Sequence, residues 1–487
     1  MAPTQLSATE LKETGSVYDS FISDWLFYGK AFKAGKTFIE EVLFQHPSET
    51  DDNYSTRTDE AFNFPYCQNI VSIYNYFLTE NNAIREIPTE IASRQDWKDF
   101  QSNCDYYGTD FDIFLNDAQK LAGAYGVSGI LIDQPEGYFN EDSDVYAYLS
   151  VFTPNNILDW TFERDFVTRR PVLTYLKLKE SDLVYLVWTN EYWERYRLDS
   201  SGTEVEEYSY GDNRLGEVPF VFLPNIRDHE YFYLGVSDIV DASLVNGSIV
   251  RTLSMGSEVM KLAGFPMLLY PYQDQNHHLE DSNDSEEIVV SEDAVLQFDP
   301  DAKNGKPAWL ETPVEASVNA ILSWMDRLTE EMYRAANLAG LHQNRDKAQT
   351  KSATYLRYQF QQTNAVLSKK ADALVEAEKR IYYLWGKWQS IDNILDGMFI
   401  SRIKEFSIDA MQIELQNMID SMDSVYSNHF KTKMQKRIAK YTFPDLTDTD
   451  LQTIDSEVSE TLKLQDEAKK KKADIEDVNF KDNIEEN

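Results

Sequence analysis

The chain has 487 residues and carries 83 Asp plus Glu against 46 Lys plus Arg, a net charge of −37. Hydrophobic residues make up 42% and aromatics 13%, enough for a packed core, so wholesale disorder is excluded. The charge repels nucleic acid at long range and excludes wrapping of DNA by the whole surface, but it permits a local basic contact or an acidic wall that does not adhere.

The length allows about three domains or one elongated multi-part subunit. No apolar run reaches the roughly 18 residues of a transmembrane helix, so no membrane partner is expected. The opening MAPTQLSATELKETG has neither the basic nor the apolar region of a signal peptide. Cys67 and Cys104 are too few for a disulfide framework or a four-thiolate metal site, and a reduced intracellular origin fits them best.

In chain order, residues 17–48 and 59–120 read as helical, separated by the polar insert SETDDNYSTRTDE, a loop by composition. Near 126 the texture changes. Residues 126–133 are apolar and β-branched, bounded by Gly126 and Pro135, and read as a buried strand. Further strands are expected at 146–152, 172–178, 183–189, 192–198 and 218–223, giving an antiparallel β module of about a hundred residues. Residues 235–263 turn helical again and are rich in small residues, among them Gly235, Gly247 and Gly256. Each interior glycine costs a helix roughly 1 kcal/mol relative to alanine, a cost that close approach of neighbouring helices would offset.

Gly264 and Pro266 end that helix. Short strands are expected at 267–272, 288–290, 295–298 and around Trp309, with an acidic stretch at 274–287 between them. Thr312 and Pro313 then cap a helix of about 40 Å that stops at Gly340. A polar break carries Arg345, Lys347 and Lys351. The next helix, about 352–390, spans roughly 58 Å, with Phe360, Leu367, Leu374, Ile381 and Trp388 recurring every seven residues. Leu356, Ala371, Ala377, Leu384 and Trp385 flank that line. Residues 401–441 and 448–473 read as helices, followed by a charged tail.

Chemical motifs are sparse. Gly29 to Thr37 approaches a phosphate-binding loop, but five residues rather than four separate Gly29 from Gly35-Lys36, and Lys30 stands where the glycine is needed. His277-His278 lack further ligands at metal-like spacing. No nucleophile elbow is present, so neither a catalytic residue nor a metal or cofactor is expected.

The order of parts is more informative: helical N-terminus, β module, small-residue helix, β excursion, helix, polar loop, very long helix, helical C-terminus. That order resembles the tailed-bacteriophage portal family. Local sequence agrees, in Tyr54 to Arg57 before Ala61-Phe62-Asn63, in Gly126 to Pro135 followed by Pro154 to Trp160, in Val218 to Val221 leading to Gly235, and in Phe265-Pro266. The resemblance covers about 50–400 and implies an elongated α+β subunit. Its parts would be a wing at 1–234 with the β module from about 121, a first stem helix at 235–266 and a clip at 267–312. A second stem helix at 313–340, a tunnel loop at 341–351, a long wing helix at 352–400 and a helical crown with charged tail at 401–487 would follow.

The same resemblance implies a non-enzymatic homo-oligomer, conventionally a dodecameric ring, at one capsid vertex of a virion made in the bacterial cytoplasm. Double-stranded DNA would pass through its channel. Its partners would be the terminase large subunit, later a head–tail adaptor, and capsid or scaffold protein. Arg345, Lys347 and Lys351 would lie on the loop nearest the duplex, and Gly235, Gly247 and Gly256 would serve stem packing. The rival expectation is another oligomeric virion or scaffold protein without DNA passage.

Overall fold

A computed structural model describes residues 3–80, 83–135, 145–167, 169–264, 267–271, 295–298, 308–310, 314–338, 353–391, 393–404 and 456–457. The chain divides into two compact units, Met1–Lys404 and Glu405–Asn487. Ser456 and Glu457 are the described residues of the second unit, and both are helical. The rest of the crown at 405–487, the acidic stretch 274–287 with His277-His278, and the polar break bearing Arg345, Lys347 and Lys351 lie outside the described residues.

The first unit opens with α1 (Ala8–Lys12), α2 (Ser16–Lys33), α3 (Lys36–Val42), α4 (Asp51–Glu60) and α5 (Tyr66–Thr79). Helix α4 corrects the loop expected over 48–60. Thr50 Oγ1 accepts from Asn53 N at 3.3 Å, and Asp51 and Asp52 occupy the first turn, where the helix dipole favours acids. None of its ten residues is buried, so no apolar stripe announced it. The near-phosphate loop is no loop at all in its first half, because Gly29 to Lys33 belong to α2.

Next come β1 (Ile84–Glu86), α6 (Thr89–Ala92), α7 (Gln95–Ser102) and α8 (Phe111–Tyr125). Gly126 caps α8 in the left-handed conformation at φ +95°, and the chain enters β2 (Val127–Asp133). As its apolar run predicts, β2 is buried almost throughout. It is the centre of an antiparallel three-stranded sheet between β3 (Tyr148–Phe152) and β9 (Phe220–Pro224). Between those edges runs a five-stranded antiparallel meander of β4 (Ile157–Arg164), β5 (Pro171–Lys179), β6 (Val184–Thr189), β7 (Tyr192–Leu198) and β8 (Val205–Asp212). Strands β4 and β8 were not expected. They carry polar residues on exposed positions and sit among the turn residues that mark the meander.

The small-residue helix is α9 (Val240–Gly264), which starts later than the expected 235. The delay has a local cause. Residues 236–239 spend their polar groups on neighbours: Val236 N donates to Ile226 O at 2.9 Å, Asp238 N to Gly123 O at 2.9 Å, and Ser237 Oγ to Ala124 O at 2.6 Å. Gly235 therefore lies ahead of the helix, bridged to Arg227, with its Cα against the backbone oxygen of Gly126. After α9, β10 (Met267–Pro271) pairs parallel with β11 (Val295–Phe298) and antiparallel with β12 (Ala308–Leu310), in the order β11-β10-β12. Helices α10 (Val314–Ala335) and α11 (Ala353–Trp388) follow. Strand β13 (Phe399–Ser401) returns to pair with β1, a long-range contact that no sequence pattern signalled.

The core lies where α11 crosses α5, β2 and β9. Leu367, Leu374 and Ile381 of the seven-residue seam are buried, as are Ala371 and Trp385 beside it, whereas Trp388 at its end is half-buried and donates Nε1 to Ile132 O at 2.9 Å. Around Trp385 the rings of Trp97, Phe100, Phe111 and Tyr382 lie with centroids about 5 Å apart, contacts worth something beyond their buried area. No helix among the described residues is long and apolar enough to cross a membrane.

The crossing of Gly126 and Gly235 leaves no room for a methyl group on either backbone. Gly235→Ala is expected to destabilise the fold by about 1–3 kcal/mol, read as a lowered urea midpoint with an unchanged slope. A variant that melts like the parent would show that this crossing relaxes freely.

Candidate functional site

Gly256 of α9 faces α10, with a hypothetical Cβ 3.4 Å from Ile321 Cγ2. At their other ends Asp238, just before α9, and Ala336, just after α10, both approach Tyr74, whose hydroxyl donates to Ala336 O. The two helices therefore run antiparallel, joined through the three-stranded β10–β12 sheet. Along α10, Ile321, Met325, Leu328 and Met332 follow the spacing of one helix face and form its shielded side. Gly247 points elsewhere. A Cβ there would lie 3.1 Å from Val42 Cγ1 in α3, so its smallness serves packing inside this chain. Of the three glycines expected to pack stem helices, Gly256 serves the α9–α10 contact, Gly247 serves α3, and Gly235 lies outside the helix.

The outer flanks of this pair are apolar. On α9, Leu244 and Met255 are 61% and 57% exposed, on the same face as Ser248. On α10, Leu322 and Trp324 are 54% and 53% exposed, either side of the shielded line. A half-exposed tryptophan and three other large apolar residues on one two-helix unit are what an association surface offers.

The pair is anchored by a buried polar cluster. Lys370 of α11 places Nζ 2.6 and 2.5 Å from the two carboxylate oxygens of Asp238, and both side chains are almost wholly buried. Burial lowers the Lys370 ammonium, while the Asp238 charge opposes that shift. Asn225, just past β9, donates to Asp238 Oδ1 at 2.8 Å and accepts from Gln119 Nε2 at 3.0 Å. Lys370 Nζ also sits 3.9 Å over the Tyr74 ring, a cation–π contact out of water. No sequence pattern signals this cluster. An Asp just ahead of a helix and a Lys inside a long apolar seam are each ordinary alone.

A second cluster fixes α11 about two turns further on. Arg85 of β1 binds Asp112 with both terminal nitrogens and Glu378 through Nε, and Arg402 Nη2 reaches Glu378 Oε2 at 3.1 Å. Burial alone would raise the Asp112 carboxyl, yet the Arg85 bonds and charge hold it below its ordinary value of 3.8.

No group of three or more His, Cys, Asp or Glu among the described residues could hold a metal ion. Cys67 and Cys104 are fully buried, and desolvation raises both thiols, Cys67 to about 12, so neither is a ready nucleophile near neutral pH.

No family model matches the chain, and no curated protein matches it. Among solved structures it is similar to a chain from the neck of an empty gene transfer agent particle computed with C6 symmetry. The identity is 8% and the TM-score 0.43, over 81% of this chain and 98% of that one. It is also similar to a chain of the virion of a native gene transfer agent particle, at 9% identity and TM-score 0.42, over 82% and 98%. A third, from the neck of the native particle computed with C12 symmetry, gives 10% identity and TM-score 0.42 over 76% and 89%. Likenesses this distant carry no weight for function.

Lys370→Met strands a buried carboxylate and is expected to cost about 3–5 kcal/mol, whereas Lys370→Met with Asp238→Leu recovers most of that loss. Equal losses in the single and double variants would deny the pair its role. Asp112 has a pKa below 3.8 in the folded chain, so its contribution is complete above the ordinary carboxylate range and vanishes as pH falls through the lower, folded value. Denaturant titrations should show stability falling below about pH 4, and Asp112→Asn should make that fall shallower. An unchanged acid limb in the variant would refute the assignment.

Proposed function

We propose that the chain is a portal subunit, one copy of a ring-shaped, non-enzymatic conduit for double-stranded DNA at a capsid vertex of a phage-like virion. One observation carries the reading. An antiparallel helix pair, joined through a small sheet and anchored by one end in an α+β body, presents large apolar side chains on both helices. A subunit that stands alone has no use for such flanks, whereas copies set side by side around an axis cover them. Heterologous contacts of that kind close into a ring when the rotation allows.

In this reading α9 and α10 form the stem, β10–β12 belong to the clip, and α11 is the long wing helix. The 341–351 segment is the tunnel loop, with Arg345, Lys347 and Lys351 as its cations, and the C-terminal unit is the crown. The terminase large subunit and then a head–tail adaptor would dock at the clip, and capsid or scaffold protein at the wing. Loop contacts to phosphate would be weak and salt-sensitive, since a conduit must release what it touches.

Native mass measurement with negative-stain imaging of the purified chain tests the reading. About a dozen copies around an open centre are expected. A monomer, or an open fibre, would favour a scaffold or other virion component instead. Changing Arg345, Lys347 and Lys351 together to Ala should leave assembly intact and lower DNA packaging or retention. Triple-variant particles that package and hold DNA at parental levels would leave the loop as a plain connector.

A further inference from the structure

The five-stranded meander ends on β8, which pairs with β7 on one side and has no strand on the other. Asn213 N donates to Glu191 O at 2.8 Å, so Glu207, Ser209 and Gly211 turn their backbone groups toward β7, and Tyr208, Tyr210 and Asp212 turn theirs away. Among the described residues nothing bonds to those outward amides and carbonyls. A bulge opposite Arg197 and Leu198 leaves one extra residue on β8 and fixes where the regular edge begins. From Glu207 to Asp212 about 20 Å of ladder is open. The strand, VEEYSYGD, contains neither proline nor lysine, residues that commonly blunt an exposed edge.

The side chains along this edge are ordered by the register. Tyr208, Tyr210 and Asp212 stand opposite Tyr196, Glu194 and Tyr192 and share one face of the sheet. The rings of Tyr196, Tyr208 and Tyr210 form a row with centroids 4.9 and 5.6 Å apart. Buried Glu194 accepts from the hydroxyls of Tyr196 and Tyr208 at 2.7 and 2.8 Å, which fixes those two, while Tyr210 is 51% exposed. Both ends of the edge are acidic, with Glu206 and Glu207 exposed at its start and Asp212 at its close. Glu207 has a neighbouring cation, Arg197 at 3.4 Å, on β7. This charge selects the occupant. Two β8 strands paired antiparallel would set Asp212 of each against the Glu206-Glu207 end of the other, and paired parallel would set identical acids side by side. A strand with a cation at each end meets carboxylates instead.

We infer that the free edge of β8 takes an added strand from a partner protein, an extended segment running antiparallel with Lys or Arg at both ends and β-branched or aromatic residues against Tyr208 and Tyr210. Main-chain bonds to Tyr208, Tyr210 and Asp212 supply the affinity, and the terminal cations opposite Asp212 and the Glu206-Glu207 end supply the selection. The site lies on the meander and does not depend on the ring reading.

The probe is a fluorescently labelled peptide, Lys-Thr-Val-Thr-Val-Thr-Lys, titrated with the full-length chain and followed by anisotropy. The same peptide with Glu at both ends is the control. Saturable binding of the Lys-ended peptide, weaker by about tenfold or more for the Glu-ended one, is the expected result. Two variants separate backbone from side chain. Tyr210→Pro removes an outward N–H without touching the ladder to β7, a place where an edge strand tolerates proline, and Tyr210→Ala removes only the ring. Binding should fall about tenfold or more further in Tyr210→Pro than in Tyr210→Ala, with circular dichroism confirming both folds. Hydrogen exchange of the parent gives a second measure that needs no variant, because the peptide should slow exchange in the 205–212 segment by the three outward amides. No binding by the parent, equal binding of the two peptides, equal losses in the two variants, or unchanged exchange in that segment would each overturn the proposal. Loss of self-association in Tyr210→Pro without any peptide would assign the edge to a second copy and reject the cationic partner.

Discussion

The Asp238–Lys370 pair is the point on which the arrangement of long helices depends. Two charges taken out of water cost several kcal/mol each, and close attraction offsets this only with good geometry and further bonds. Both conditions hold here. Lys370 Nζ reaches both carboxylate oxygens, Asn225 adds a donor, and the Tyr74 ring covers the ammonium. The partners come from α11, from the lead-in to α9, from the end of β9 and from α5, and Tyr74 also bonds the carbonyl just beyond α10. Directional bonds of this kind are satisfied at one register of the helices and broken at the next. Apolar packing alone would let α9 and α10 slide by a turn with modest loss.

The second charge cluster completes that constraint about two turns further along α11. Glu378 lies wholly buried one turn from Leu374 and Ile381, in the middle of the apolar seam. Left alone it would be among the costliest residues in the core. Arg85 and Arg402 neutralise it, Arg85 from β1 and Arg402 from the residue just past β13, the two short strands that pair. Those strands thus deliver two guanidinium groups to one carboxylate, which is why so brief a pairing, three residues on each side, joins segments so far apart in sequence.

What was legible in the sequence follows from where periodicity survives. The seam of α11, the buried run of β2 and the apolar runs of β5–β7 between turn residues each expose a pattern because these segments meet apolar neighbours. Helix α4 left no such trace, since it buries nothing. Its cap at Thr50 followed by two aspartates was present in the sequence, but its polarity read as a turn. Strands β4 and β8 were masked by turn residues around them. Gly235 was grouped with the helix glycines by proximity alone, although its task is a backbone crossing set by residues over a hundred positions away. Neither ion-pair cluster was legible, because an ion pair depends on which segments meet, and periodicity carries no information about that.

Charge and association are less opposed than a value of −37 suggests. At physiological ionic strength exposed charges more than about 8 Å apart are largely screened, so copies of such a chain repel one another mainly where acids face each other closely. What decides association is the local composition of each contact. The exposed flanks of α9 and α10 carry leucine, methionine and tryptophan, which the proposed ring would place at such contacts. In the proposed ring the acidic excess would be left to the remaining surface, where it would keep unassembled copies apart and discourage contacts in the wrong register. A uniformly acidic chain would stay monomeric, and a uniformly apolar one would aggregate. Apolar or cationic contacts confined to a few places on a strongly acidic background favour a closed assembly over either, because every contact that does not match is left with two negative surfaces together.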